Sequence, residues 1–174
     1  MKKIIKILIA IGILSVLGGV VYNILPEKKL PKDAKIDRIV IEKSKRKMMV
    51  YEKGKLLKTY SIALGRNPIG AKEYEGDKKT PEGIYTINDK NPNSGYYKNL
   101  GISYPNKENI KHAKKLGKPA GGDIKIHGLR NKGGFIGKFH RFKDWTLGCI
   151  AVTNEEMEEL YNATPIGTKI EIKP

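Results

Sequence analysis

Three regimes of apolar spacing succeed one another along the chain. Met1-Lys2-Lys3-Ile4-Ile5-Lys6 is a short basic leader, and Ile7 to Leu25 is an almost uninterrupted apolar run. That run approaches the ~20 residues a helix needs to cross hydrocarbon. A cleaved signal would have a shorter apolar core and a small-x-small site. The stretch Val20 to Pro26 offers no such site, and no cysteine follows that could carry a lipid. The segment therefore reads as an uncleaved membrane anchor. Residues 26–35 carry Lys and Pro without apolar periodicity and read as a linker.

From Ile36 the pattern turns to period two, the mark of half-buried strands. Ile39 and Ile41 stand two apart, and Met49 and Tyr51 lead into Glu52-Lys53-Gly54-Lys55, a hairpin turn. Leu57, Tyr60, Ile62 and Leu64 continue beyond it, and Thr80-Pro81-Glu82-Gly83 turns into a strand over Ile84–Ile87. Ile124-Lys125-Ile126 is a short strand that delivers His127. Cys149 to Val152 is another, and Thr168 to Ile172 closes the pattern. One helix is well signalled: Thr153-Asn154-Glu155-Glu156 has the form of a capping box, Met157, Leu160 and Tyr161 give an apolar face, and Thr164-Pro165 stops it. The glutamates of this helix are expected on a solvated face, not around a metal. A second helical stretch is expected over Lys107–Leu116. Many short strands and one or two helices predict a mainly-β domain, a sandwich or partly open barrel, preceded by a transmembrane helix. The expected organisation is leader 1–6, span 7–25, linker 26–35 and one domain 36–174, so that a chain cut before Asp33 should still fold.

The formal net charge of +16, from 34 Lys+Arg against 18 Asp+Glu, favours polyanionic surroundings. The lysines are scattered, however, and no RNP signature, zinc-finger spacing or recognition helix accompanies them, so no nucleic-acid partner is expected. The single cysteine, Cys149, excludes an intrachain disulfide. A lone thiol outside the cytoplasm is either inert and buried or put to use.

Cys149 follows Gly148, where a missing β-carbon lets a ligand approach the backbone. A free thiol is only about 3% thiolate at pH 7, so a nucleophilic cysteine needs a base or cation nearby. His112 lies in a polar run. His127 ends a strand before Gly128 and is the better base; His140 sits between Phe139 and Arg141.

Ile126-His127-Gly128, followed about 18 residues later by Thr146-Leu147-Gly148-Cys149-Ile150, resembles the signature of L,D-transpeptidase (YkuD-type) catalytic domains. Gly76-Asp77-Lys78-Lys79-Thr80-Pro81-Glu82-Gly83 is similar to that family's GD-x-x-TPEG turn, and Ser103-Tyr104-Pro105-Asn106 to its SYPN segment. The resemblance runs from about Ile36 to the C-terminus. It implies an L,D-transpeptidase-like fold and a cysteine acyl-enzyme formed on the third residue of a peptidoglycan stem peptide. His127 would take the thiol proton and the Gly128 carbonyl would orient the ring. The Gly148 and Cys149 N–H groups would hold the oxyanion. An amine of another stem, a lysine-bearing wall protein or water would resolve the thioester. No metal or cofactor is implied, and the domain would work at the cell envelope, outside the cytoplasmic membrane.

Two positions depart from the family pattern. Many members have His before Gly-Cys and Arg two after Cys, where this chain has Leu147 and Ala151. The form Trp145-Thr146-x-Gly-Cys-Ile-Ala-Val resembles a distinct branch. Residues 129–144, with Arg130, Lys132, Lys138, Arg141 and Lys143 among glycines and phenylalanines, are expected to form a lid. Arg130 or Arg141 would there pair a stem carboxylate, and His140, Trp145 and Thr146 would line the substrate. A sortase-like enzyme is disfavoured because no Arg follows Cys149, and a papain-like one because the His precedes the Cys. A non-catalytic wall-binding module would tolerate Cys149→Ser.

Overall fold

The computed structural model describes residues 2–174, so Met1 of the leader lies outside the described residues. Helix α1 (Lys2–Ile24) takes in the remaining leader residues and buries no side chain. At 1.5 Å per residue it is about 35 Å long, enough to cross a bilayer.

Residues 26–35 form no regular element, yet Leu30 and Ala34 are buried in the same apolar cluster as Ile36. The Ile36 N–H donates to the Ala163 carbonyl at the end of α3 (Asn154–Ala163). The folded unit thus begins near Leu30. Two isolated apolar residues in a Lys/Pro stretch have no period to reveal them.

The domain is one mixed sheet of eight strands: β1 (Arg38–Glu42), β2 (Lys47–Glu52), β3 (Lys55–Ser61), β4 (Gly83–Ser94), β5 (Tyr97–Ile102), β6 (Lys125–His127), β7 (Ile150–Ala151) and β8 (Lys169–Lys173). Their spatial order is β3-β2-β1-β8-β4-β5-β6-β7. β8 runs parallel to β1 and antiparallel to β4, which splices the N-terminal hairpins to the strands that carry the site. Beyond β3 the chain folds over, so that Ala63 bridges Ala151 and Gly65 bridges Thr146. The two ends of the sheet thereby meet in a half-barrel, the partly open barrel and not the sandwich of the two expected arrangements.

Ile39 and Ile41 face the core as their spacing predicts, but in β2 the buried residues are Met48 and Val50. Met49 and Tyr51 lie half-buried on the opposite face, where Arg38 covers the Tyr51 ring at 4.2 Å. Four consecutive apolar residues give period two no phase. β5 was not foreseen, because Asn99, Leu100, Gly101 and Ile102 are all buried and do not alternate.

Both expected helices form. α2 (Lys107–Lys115) is capped by Asn106 and α3 by the Thr153/Glu156 box, with Thr153 Oγ1 accepting from the Glu156 N–H at 3.3 Å. Residues 134–142, expected as part of a lid, are two 3₁₀ turns joined at Gly137, whose φ of 49° suits a residue without a β-carbon.

Candidate active site

β6 and β7 are short, and their parallel pairing sets Ile126 opposite Ile150 and His127 opposite Ala151. Ile126 and Ile150 are fully buried, so the alternate residues, Lys125, His127 and Cys149, share the other face. Cys149 is then two residues along and one strand across from His127, about 8 Å between Cα atoms, a gap that two inclined side chains can close. Asn99 of β5 stands opposite His127 on the same face and is itself buried.

Thr146 shapes the approach to Cys149. Its Oγ1 donates to the Cys149 carbonyl at 2.7 Å and accepts from the Gly148 N–H at 3.1 Å. The Gly148 N–H is therefore spent within the turn. Gly148 has a φ of 136°, and a β-carbon there would lie 2.8 Å from the Lys79 carbonyl oxygen. The Gly76–Gly83 turn thus packs directly beneath the Cys149 loop. It is held by Asp77, which pairs with buried Lys72 at 2.8 Å and accepts the N–H groups of Glu73, Tyr74 and Lys79. Lys43 fixes its other end, bonding the Thr80 carbonyl and Glu82.

His127 is 6% exposed, and its Nδ1 lies 2.7 Å from the Gly128 carbonyl, as the resemblance implies. That oxygen can only accept, so Nδ1 carries the proton and Nε2 keeps its lone pair. Burial pushes the imidazole below its ordinary pKa, with the Lys125 charge acting in the same direction. A β-carbon at Gly128 would strike Asn154 Oδ1 at 2.7 Å, the atom that also accepts the Leu129 N–H. The Tyr96 and Trp145 rings wall His127 at 4.7 and 5.6 Å between centroids.

The Cys149 thiol is partly exposed and donates toward the Asp123 carbonyl at 3.5 Å. Burial raises its pKa, and the Asp123 charge adds to the rise, while the Lys125 N–H and the Lys125 and Lys72 charges oppose it. At neutral pH the resting pair is therefore a thiol beside a neutral imidazole.

The remaining candidates are placed differently. Arg130 is exposed. Arg141 is 9% exposed and gives its guanidinium to Glu27 at 2.7 Å and Glu156 at 2.8 Å. The helix glutamates, expected on a solvated face, are partly drawn into ion pairs: Glu156 with Arg141, Glu158 with Lys98 and Glu159 with Lys58. His140 is buried with both ring nitrogens unpartnered; burial, Arg141 and His127 together push its pKa down to about 4. Lys43, Asn99, Asp144 and Asn154 carry no local motif and were not foreseen. Asp144, for instance, works at long range, accepting the Leu64 N–H and pairing with Arg46.

Residues 36–172 match the model of the YkuD family, the L,D-transpeptidase catalytic domain. YafK of Escherichia coli (strain K12), provisionally named an L,D-transpeptidase, is 30% identical over 129 residues, covering 71% of this chain and 45% of YafK. YqjB of Bacillus subtilis, similarly named, is 29% identical over 149 residues, 84% of this chain and 74% of YqjB. Among solved structures, the helical cell shape determining protein Pgp2 of Campylobacter jejuni superposes with a TM-score of 0.58 at 28% identity, over 82% of this chain and 49% of Pgp2. The chain thus spans about half the length of YafK and of Pgp2. Family match, curved mixed sheet and His/Cys strand ends coincide, and the chain belongs to the YkuD family of L,D-transpeptidase catalytic domains.

Proposed function

We propose that this protein is an envelope enzyme that transfers acyl groups between peptidoglycan stem peptides through a thioester on Cys149. One observation carries the reading. Parallel pairing of β6 and β7 puts His127 and Cys149 on one face, with Nδ1 of His127 tied to the Gly128 carbonyl and Nε2 left as a base. Cys149 Sγ attacks the carbonyl of the third stem residue as His127 Nε2 takes the thiol proton. The Cys149 N–H meets the developing oxyanion. The C–N bond to the next residue breaks, His127 returns the proton to the leaving amine, and the acyl group rests on sulfur. An amine of a second stem, or water, then attacks the thioester with His127 again as base, and the thiol is restored. Tyr96 and Trp145 form the cleft wall, and exposed Arg130 is a cation available to pair a stem carboxylate. α1 is the anchor, with the domain on the outer side of the membrane.

The test is mass spectrometry of defined muropeptides incubated with the protein in detergent, alongside carbapenem labelling. Cross-linked product and a single adduct are expected for the wild-type chain, and neither for Cys149→Ala. An adduct that survives in Cys149→Ala would refute the assignment, and shortened stems without cross-links would make water the acceptor.

A further inference from the structure

The 3₁₀ segment Gly134–Phe142 is wedded to the end of α1. The Tyr22 ring stacks on Phe142, with centroids 5.9 Å apart, and meets Phe139 at 6.3 Å. Lys138 Nζ donates to the Tyr22 and Leu25 carbonyls, so a lysine from the catalytic domain caps the C-terminus of the helix. The Lys138 N–H donates to Asn23 Oδ1 at 2.7 Å, and a β-carbon on Gly19 would touch the Phe139 ring at 3.6 Å.

That last contact fixes a depth. From Ile7, beyond the leader lysines, to Gly18 the helix rises only about 18 Å, against the ~30 Å of a hydrocarbon core. A spanning α1 must therefore keep Gly19 inside the hydrocarbon, six residues or about 9 Å below Leu25. Phe139 lies against Gly19 and has to share that level. The charges of the region are already neutralised among themselves: Lys138 and Arg141 face Glu27 and Glu156 in ion pairs of 2.7 to 3.7 Å. What the segment leaves outward is apolar, with Phe135 82%, Phe142 74% and Ile136 42% exposed. Lys132 and Lys143 flank it in exposed positions, suited to anionic headgroups.

We infer that the aromatic face of residues 134–142 is a membrane-docking surface, inserted into the outer leaflet of the bilayer that α1 spans. The inference rests on α1 being a transmembrane anchor. It makes the segment a second point of membrane attachment, which fixes how the domain sits on the bilayer as well as its tethering.

The full-length chain in single-copy nanodiscs of phosphatidylcholine and phosphatidylglycerol, with and without brominated acyl chains, tests this. Trp145 is the sole native tryptophan, so its emission in the wild-type chain is the background. Phe135→Trp and Phe142→Trp report on the face and Leu14→Trp on the anchor; carbapenem labelling checks that each variant is folded. If the face sits ~5–10 Å into the leaflet, bromine should remove at least about half of the added emission in both face variants and in Leu14→Trp. Quenching of Leu14→Trp with both face variants unmoved would overturn docking and leave the anchor standing. Leu14→Trp left unquenched would overturn the anchor and the docking with it. Face-variant emission that follows the number of chains per disc, and not bromine, would assign the face to a second copy and equally overturn the proposal.

Discussion

The neutral resting state of Cys149 and His127 dictates a pH signature for the first chemical step. With burial raising the thiol, the thiolate at pH 7 falls below the ~3% expected of a free cysteine. Under the proposed mechanism, wild-type acylation then runs through His127 acting as base. The His127 pKa lies below its ordinary 6.5, so the rate should be flat from about pH 6.5 to 8 and fall only in acid. In His127→Ala the pre-formed thiolate alone can react. Its rate should climb tenfold per pH unit across that range and stand at least about 10²-fold below wild type at pH 7, or ~2.7 kcal/mol. His140→Ala should keep the flat profile, because a ring held near pKa 4 beside Arg141 has little tendency to accept the proton. The assay is the pseudo-first-order growth of the carbapenem adduct by intact mass at a series of pH values. A flat profile in His127→Ala, or a slope of one in His140→Ala, would show that the base has been assigned to the wrong histidine.

Three further outcomes are expected. His140 is neutral when folded and titrates near its ordinary 6.5 when unfolded, so stability is complete above pH 6.5 and is lost as pH falls toward 4, by up to about 3 kcal/mol. His140→Leu, which also removes two unpartnered buried nitrogens, should flatten that dependence in urea titrations. Arg141→Ala strands buried Glu156 and should cost about 3 kcal/mol in chemical unfolding; unchanged stability with a raised KM would return Arg141 to the substrate. Finally, residues 27–174 should be more stable than residues 33–174 by about 2 kcal/mol, the worth of buried Leu30, and equal urea midpoints would make the segment a linker after all.

What the sequence disclosed was what local pattern can encode. The α3 capping box joins residues three apart, β8 alternates strongly enough to show period two, and the His-Gly and Gly-Cys blocks are contiguous. Where both faces of a strand are apolar, as in β2, or both are buried, as in β5, alternation has no phase to read. Leu30, Lys43 and Asp144 owe their burial or bonding to partners tens of residues away, so nothing beside them in the chain marks them. The 3₁₀ segment is the instructive case. Its glycines and phenylalanines looked like a lid over substrate, while much of its order comes from α1, more than a hundred residues upstream. Arg141, read as a carboxylate binder, does pair with carboxylates, but with this chain's own Glu27 and Glu156.

The departure from the family's Arg two places after the cysteine has a physical account. Ala151 is fully buried, sits opposite His127 and bridges Ala63, with backbone bonds in both directions between the two alanines. A guanidinium at that fully buried position would need room and carboxylate partners that the alanine seam does not offer. The positive field at the sulfur comes from other elements instead. Lys125 stands on the face of β6 that Cys149 shares, its Nζ 2.7 Å from exposed Asp123, and its charge favours the thiolate. Lys72 adds to it from within the Gly76–Gly83 turn region, where Asp77 holds it 4% exposed. Neither lysine overcomes burial, so the thiol stays protonated at rest. In the proposed mechanism both lysines would lower the cost of the thiolate as His127 takes the proton, while burial, with Lys125, favours a neutral His127 until then. A cation two residues after the cysteine would act on the thiolate through sequence proximity. Here that role is divided between a strand neighbour and a buried turn, which is why no motif next to Cys149 announces it.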